Sequence, residues 1–154
     1  MPVAKFTKPE APVFEKLNGD FPFEVVGVDF GLSTSQKTNG CDTMELKLKF
    51  FKDDSFAEPV SQWTERLIFH EDTMWKINQF ALCANLQVDG RLIGENDEVE
   101  YNEHAVIGLR GWAKCAQRKG FKDPSKEFNS VQIFYTDKPK LAKHVTVADE
   151  SDFN

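Results

Sequence analysis

The amino-acid sequence predicts a mainly β domain: five strands, with one helix between the third and the fourth. Three observations carry this. Apolar residues recur at period two in five separate segments. The period changes to a helical one only once, between residues 71 and 86. Polar stretches holding Gly, Asn or Pro separate the segments. A chain of 154 residues with 40% hydrophobic content can bury one core and is short for two.

Residues 1–19 hold Pro2, Pro9 and Pro12 and read as an extended arm leading to a turn at Asn18-Gly19-Asp20. The domain itself spans residues 20–138. In FEVVGVDF, residues 23–30, Val26, Val28 and Phe30 fall on one side, as a half-buried strand requires. The polar stretch 33–42 contains Asn39-Gly40, a pair suited to positive φ angles, and forms a long hairpin loop. The second strand, 43–51, sets Met44, Leu46, Leu48 and Phe50 against Glu45, Lys47, Lys49 and Phe51. One face is core; the other is wet, basic and aromatic at its end. Residues 60–69 form the third strand, with Val60 and Ile68 opposite in parity to Trp63, Leu67 and Phe69. A bulge would reconcile them.

Ile77, Phe80, Ala81 and Ala84 then recur at helical spacing within 71–86, with Asp72 or Thr73 available as N-cap. This is a helix of about four turns. Residues 87–103 are polar, carry Gly90 and Gly94, and define no element. A fourth strand begins near Ala105, where Ala105, Ile107, Leu109, Gly111, Ala113 and Cys115 alternate with Val106, Gly108, Arg110, Trp112 and Lys114. A cationic loop covers 117–126. In the fifth strand, 128–136, Val131, Ile133 and Tyr135 lie on one side and Gln132 and Phe134 on the other. Residues 139–154 lose periodicity and read as a flexible acidic tail.

Three strands, a helix and two strands is the order of the oligonucleotide-binding (OB) barrel, whose loops after strands one and four flank the binding face. Here those loops are 33–42 and 117–126. Other small α+β sheets share the count, but a curled sheet capped by one helix uses the one-sided apolar faces economically.

No catalytic pattern stands out, and the chain reads as non-enzymatic, without cofactor or metal. His70, His104 and His144 are isolated from one another and from the cysteines, so zinc would need a site assembled from distant pieces. There is no phosphate-binding Gly-rich motif and no Gly-x-Ser-x-Gly elbow. Asp53-Asp54 and Glu95, Asp97 and Glu98 could hold a cation, but solvated turns explain them at least as well. Cys41, Cys83 and Cys115 are odd in number and far apart, the pattern of reduced thiols in a cytoplasm. No stretch has the length of a signal peptide or a membrane span.

What does stand out is cation alternating with aromatic ring. Single-stranded nucleic acid offers phosphates and unstacked bases, so its reader needs Lys or Arg beside flat rings. Lys47, Lys49 and Phe51 supply that pattern on one strand, and Arg110, Trp112 and Lys114 on another. Arg118, Lys119, Phe121 and Lys122 repeat it in the loop, and Phe134 adds a ring on the fifth strand. The plain alternative is that alternating lysines guard an edge strand and Trp112 packs under a loop. The formal net charge of −6 counts against phosphate binding, and the body stays acidic even without the tail. In the tail, Asp149, Glu150, Asp152 and Phe153 combine charge with one apolar anchor. They could dock a partner protein, shield the cationic groove or only solubilise the terminus.

Four segments carry a resemblance: residues 33–48, Trp75-Lys-Ile-Asn-Gln-Phe-Ala81, Val106-Ile-Gly-Leu-Arg-Gly111 and Phe128-Asn-Ser-Val131. Over residues 20–136 the chain resembles a phage and prophage family, long labelled a domain of unknown function. Its members are often described as probable single-stranded-DNA-binding proteins encoded among replication or recombination genes. The tail is similar to the acidic, apolar-ended tip of bacterial single-stranded-DNA-binding proteins, with Asn154 following the Phe. The resemblance implies sequence-tolerant binding of single-stranded DNA, or RNA, in phage replication or recombination. It also implies a replication or recombination protein as partner of the tail, and leaves room for a homo-oligomer. The competing reading is a phage-encoded interaction module that acts on a host protein through the same aromatics.

Overall fold

The structure, a computed structural model, describes residues 2–6, 16–88, 90–120 and 123–144. The elements run β1 (Gly19–Leu32), β2 (Asp42–Phe51), β3 (Pro59–Ile68), α1 (Met74–Cys83), β4 (Gln87–Val88), β5 (Arg91–Leu92), α2 (Glu103–Val106), β6 (Arg110–Lys119) and β7 (Glu127–Phe134). Five strands form one antiparallel sheet in the order β3-β2-β1-β6-β7, and β4-β5 make a separate hairpin. The protein is therefore mainly β, with its main helix between the third and fourth strands of the large sheet.

Strict alternation holds on a strand that carries no extra residue of its own. On β2, Met44, Leu46, Leu48 and Phe50 are all fully buried. Elsewhere bulges reset the phase. Pairing of β1 with β2 passes from Val25–Leu48 to Gly27–Lys47, leaving Val26 as an extra residue. Phe23 and Val25 point inward before it and Val28 after it, so Val26 is exposed rather than aligned with Val28. Phe30 lies past the rim of the core, 46% exposed. On β3 the register shift falls at Val60, which leaves Ser61, Trp63, Glu65 and Leu67 on the inward side.

A third bulge, at Gln132 on β7, corrects the predicted fifth strand. Val131 and Phe134 are both buried and Ile133 is exposed. Phe134 is therefore a core ring and no contact for a ligand: it meets Phe23 edge-on at 5.5 Å and Phe80 at 5.3 Å.

The helix is shorter than its apolar pattern suggests. Residues 70–73 make turns, and the Thr73 hydroxyl donates to the Ile68 carbonyl at 2.7 Å instead of capping the helix. Asn85, at φ 55°, ends it, with the Leu86 N–H reaching back to the Ala81 carbonyl. Ile77, Phe80, Ala81 and Cys83 are buried on the helix face turned to the core.

The fourth strand starts later than its alternation implies, because Asn102 caps α2 through Ala105 N–H at 2.8 Å. Gly108, at φ +91°, then turns the chain into β6. Ile107 is consequently exposed, while Gly111, Ala113 and Cys115 face inward as expected.

Residues outside 20–138 also belong to the packed unit. Leu17 is buried, its N–H bonded to Asn129 Oδ1 and its carbonyl to Gln117 Nε2, each at 2.9 Å. At the other end, Lys140 Nζ bonds the Leu82 carbonyl, Lys143 Nζ the His104 carbonyl, and the His144 N–H donates to the Gly108 carbonyl. A Cβ at residue 108 would lie 2.5 Å from the His144 carbonyl oxygen, so glycine is what lets this strap lie flat. The remaining tail, with Asp149, Glu150, Asp152 and Phe153, lies outside the described residues, as do Phe121 and Lys122.

The expected closed barrel is not formed: among the described residues no backbone ladder joins the edge strands β3 and β7. Side chains bridge the seam instead. Glu65 Oε1 on β3 accepts the Val131 N–H of β7 at 2.7 Å and the Trp63 indole N–H at 2.8 Å, while Lys76 Nζ of α1 lies 3.5 Å from Oε2. Asn129 Nδ2 also reaches Ser61 Oγ at 3.3 Å. This is why β3 carries two polar residues on its inward side.

In the 33–41 loop, Ser33, Ser35 and Thr38 bond one another, and Gly40 adopts φ +84° while donating to the Ser33 carbonyl. Gly40→Ala is expected to cost about 1 kcal/mol, because a Cβ disfavours that conformation. Thermal unfolding should then show a drop of roughly 2–4 °C.

Candidate nucleic-acid interface

The outer face of the sheet holds most of the cations singled out above, and the geometry sorts them into bound and free. Lys47 is exposed and pairs with Asp29 at 3.3 Å. Lys49 sits 5.7 Å from the Phe51 ring. Phe51 lies on the Lys49 side of the strand, as parity predicts, but is only 6% exposed because the Phe56 ring covers it edge-on at 4.9 Å, so it is closed to a base.

Arg110 also departs from its expected role. Glu24 lies between Lys49 and Arg110 across the sheet, and one of its carboxylate oxygens accepts Arg110 Nε at 2.8 Å and Nη2 at 2.7 Å. His144 Nδ1 is 3.0 Å from the same oxygen, and the guanidinium stacks 3.8 Å from the Phe56 ring centroid. Glu24 is buried, so Arg110 serves as its counter-ion.

Trp112 faces outward with Arg110 and Lys114, as parity predicts, and is half-buried. Its ring is already occupied. Lys138 Nζ lies 5.3 Å from Trp112 and 4.7 Å from Tyr135, held by Asp20 at 3.5 Å. The Tyr135 hydroxyl donates to Asp20 at 2.6 Å, and that bond pushes its pKa up to about 12. Lys114 is exposed and has no ion pair among the described residues.

The open seam forms a better platform. A groove of about 360 Å³ runs between β3 and the β6–β7 pair, lined among others by Gln62, Thr64, Gln117, Arg118, Phe128 and Asn129. Phe128 is 46% exposed, and the Arg118 guanidinium lies 5.8 Å from its ring. Lys16 and Glu127 pair at 3.6 Å at its rim. In its wall, Gln117 Nε2 donates to Asn129 Oδ1 at 2.6 Å, and Gln117 Oε1 is buried with no hydrogen-bond partner.

Sheet register ties this groove to the lysines of β2, since Gln62 pairs with Lys49 and Thr64 with Lys47. At the other end lies the predicted cationic loop, closed by the Gly120 N–H to the Lys126 carbonyl and by Ser125 on Asp123, with Lys119 and Lys126 exposed. Arg118, Lys119, Lys47 and Lys49 thus lie along one path, whereas Arg110, Trp112 and Lys114 lie across β1 from it.

Phe128, Gln62 and Thr64 were not legible as site residues. Phe128 has Glu127 and Asn129 as neighbours, the usual mark of a strand's wet end, and only the seam gives it a role.

The acidic segment 95–98 is built as a turn. Asp97 accepts Arg91 at 2.7 and 2.9 Å and the Gly94 N–H at 2.6 Å, and Arg91 holds its pKa down at about 2. Burial raises the Cys83 and Cys115 thiols to about 11 and about 12, so both stay protonated at neutral pH. All three cysteines are free. Among the described residues no helix is long and apolar enough to cross a membrane. No protein-family model and no curated protein sequence matches the chain.

Proposed function

We propose that the chain binds single-stranded nucleic acid, DNA in the first place, with little sequence preference. The track runs from the end of β6, at Arg118 and Lys119, and the turn at 123–126 through the seam groove to the outer face of β2. The observation that supports this best is the exposed Phe128 ring under Arg118, between the loop cations and the row Lys47 and Lys49. A ring open to solvent can take a base, the flanking cations can take phosphates, and side-chain amides accept any base edge. None of these groups reads one base pair against another, which suits binding without sequence preference. A role in phage replication or recombination follows from the family resemblance. The overall charge of −6 means that attraction is local to this path, and long-range steering is weak.

Titration with an oligo-dT strand at two salt concentrations tests the reading. Affinity should fall as salt rises, with a log–log slope near −0.7 for each phosphate neutralised. Lys49, Arg118, Lys119 and Lys126 together give a slope of about −3. No binding at low salt, or tighter binding of a duplex of equal length, would replace this reading with the protein-interaction module.

A further inference from the structure

Strand β1 is longer than its neighbour on one side. It pairs with β6 only as far as Glu24–Arg110, followed by the two backbone bonds that Val25 makes with Gly108 and Leu109. Residues 27–32 pair with β2 alone, and among the described residues the other side of the 26–32 backbone has no hydrogen-bond partner. This leaves an open edge of seven residues, about 23 Å long at the usual rise per residue.

The side chains along that edge are unusual for one left to solvent. Natural edges are guarded by Lys, Pro or inward charges. Here the stretch Val26-Gly-Val-Asp-Phe-Gly-Leu32 has none of these, and its one charge, Asp29, is held by Lys47 on β2. Of the ten large apolar side chains exposed among the described residues, Val26, Phe30 and Leu32 lie on this edge and Ile107 adjoins it beside Gly108. Phe30 and Leu32 continue the core-facing side of β1 beyond the core, 46% and 64% exposed.

We infer that this edge is the dimer interface of the protein, with β1 of one copy pairing antiparallel to β1 of a second across a twofold axis. The sequence of the edge is self-complementary in that arrangement. With the axis at Phe30, Phe30 meets Phe30 of the second copy, Val28 meets its Leu32, and Asp29 meets its Gly31. The only acid therefore faces a glycine, already neutralised by Lys47. Moving the axis to residue 29 would still pair apolar with apolar, Val28 with Phe30 and Val26 with Leu32, but would set Asp29 against Asp29, so charge selects the register centred on Phe30. A twofold through the sheet keeps both core faces on one side, where the two Phe30 and two Leu32 side chains join into one apolar cluster. The open backbone groups gain partners along the shared edge.

Sedimentation velocity on the whole chain tests this, at roughly 100 µM, where a micromolar interface is filled. The expected mass is twice the 17.6 kDa of one chain. Phe30→Lys, and separately the more exposed Leu32→Lys, should give a monomer whose thermal unfolding matches that of the parent at dilutions where the parent is itself monomeric. Amide exchange within 26–32 should slow as concentration rises in the parent and not in either variant. A monomeric parent at that concentration would overturn the inference. So would a dimer that survives both substitutions, or amides in 26–32 protected equally at all dilutions, the sign of cover from the chain itself.

Discussion

Glu65→Ala is expected to lower folding stability by about 3–5 kcal/mol, because it removes the acceptor that joins the two open edges of the sheet. Three donors converge on this carboxylate: the Val131 N–H, the Trp63 indole and Lys76. Alanine leaves the first two without a partner in a place water barely reaches, since Glu65 is 7% exposed. Lys76 loses its counter-charge at the same time. Melting should fall by about 10 °C for a chain of this size. Glu65→Gln separates the contributions: it keeps an oxygen for Val131 and Trp63 and gives up only the ion pair, so about 1–2 kcal/mol is expected. If the alanine protein unfolds within about 1 kcal/mol of the parent, the seam is held by packing of Leu17, Trp63 and Val131 and not by this carboxylate.

Glu65 also marks where the sequence stops being readable. Alternation alone places Met44, Leu46, Leu48 and Phe50, because β2 sits mid-sheet and carries no extra residue of its own, the bulges beside it falling on β1 and β3, so its own alternation is never interrupted. The same logic fails on β1, β3 and β7. A single extra residue at Val26, Val60 or Gln132 inverts the pattern downstream, and nothing local distinguishes a bulged residue from a paired one. Phe134 was misjudged for that reason. The helix was read at the right place but too long, since its flanking residues carry helical spacing while their backbone forms turns.

The site was half legible for a different reason. Cation–aromatic alternation on β6 is real, and Trp112 does face outward, but parity says nothing about what arrives from another strand. Glu24 takes Arg110, and Lys138, from a bend after β7, covers Trp112. Both partners are distant in sequence. The groove between β3 and β7 exists only because the sheet remains open, a property of tertiary closure that leaves no periodic trace.

Phe128→Ala is therefore the substitution that should most affect oligonucleotide binding. The ring is 46% exposed, so its removal leaves no cavity in the core, and stability should shift by no more than about 0.5 kcal/mol. Affinity for oligo-dT should fall by roughly 1–3 kcal/mol, the worth of one stacked base, with the salt dependence unchanged because no phosphate contact is lost. Arg118→Ala should do the converse in part, lowering the salt slope by about 0.7 while also loosening the cation over the ring. Trp112→Ala supplies the contrast. Trp112 pairs with the buried Pro22 across the sheet and its ring lies under Lys138, so the substitution should cost stability first and affinity little. The decisive comparison is a pair of measurements, unfolding and titration, on the Phe128 and Trp112 proteins. If Trp112→Ala loses the affinity in a normally folded protein and Phe128→Ala does not, bases stack on β6 after Lys138 swings away, and the track lies across β1 and not through the seam.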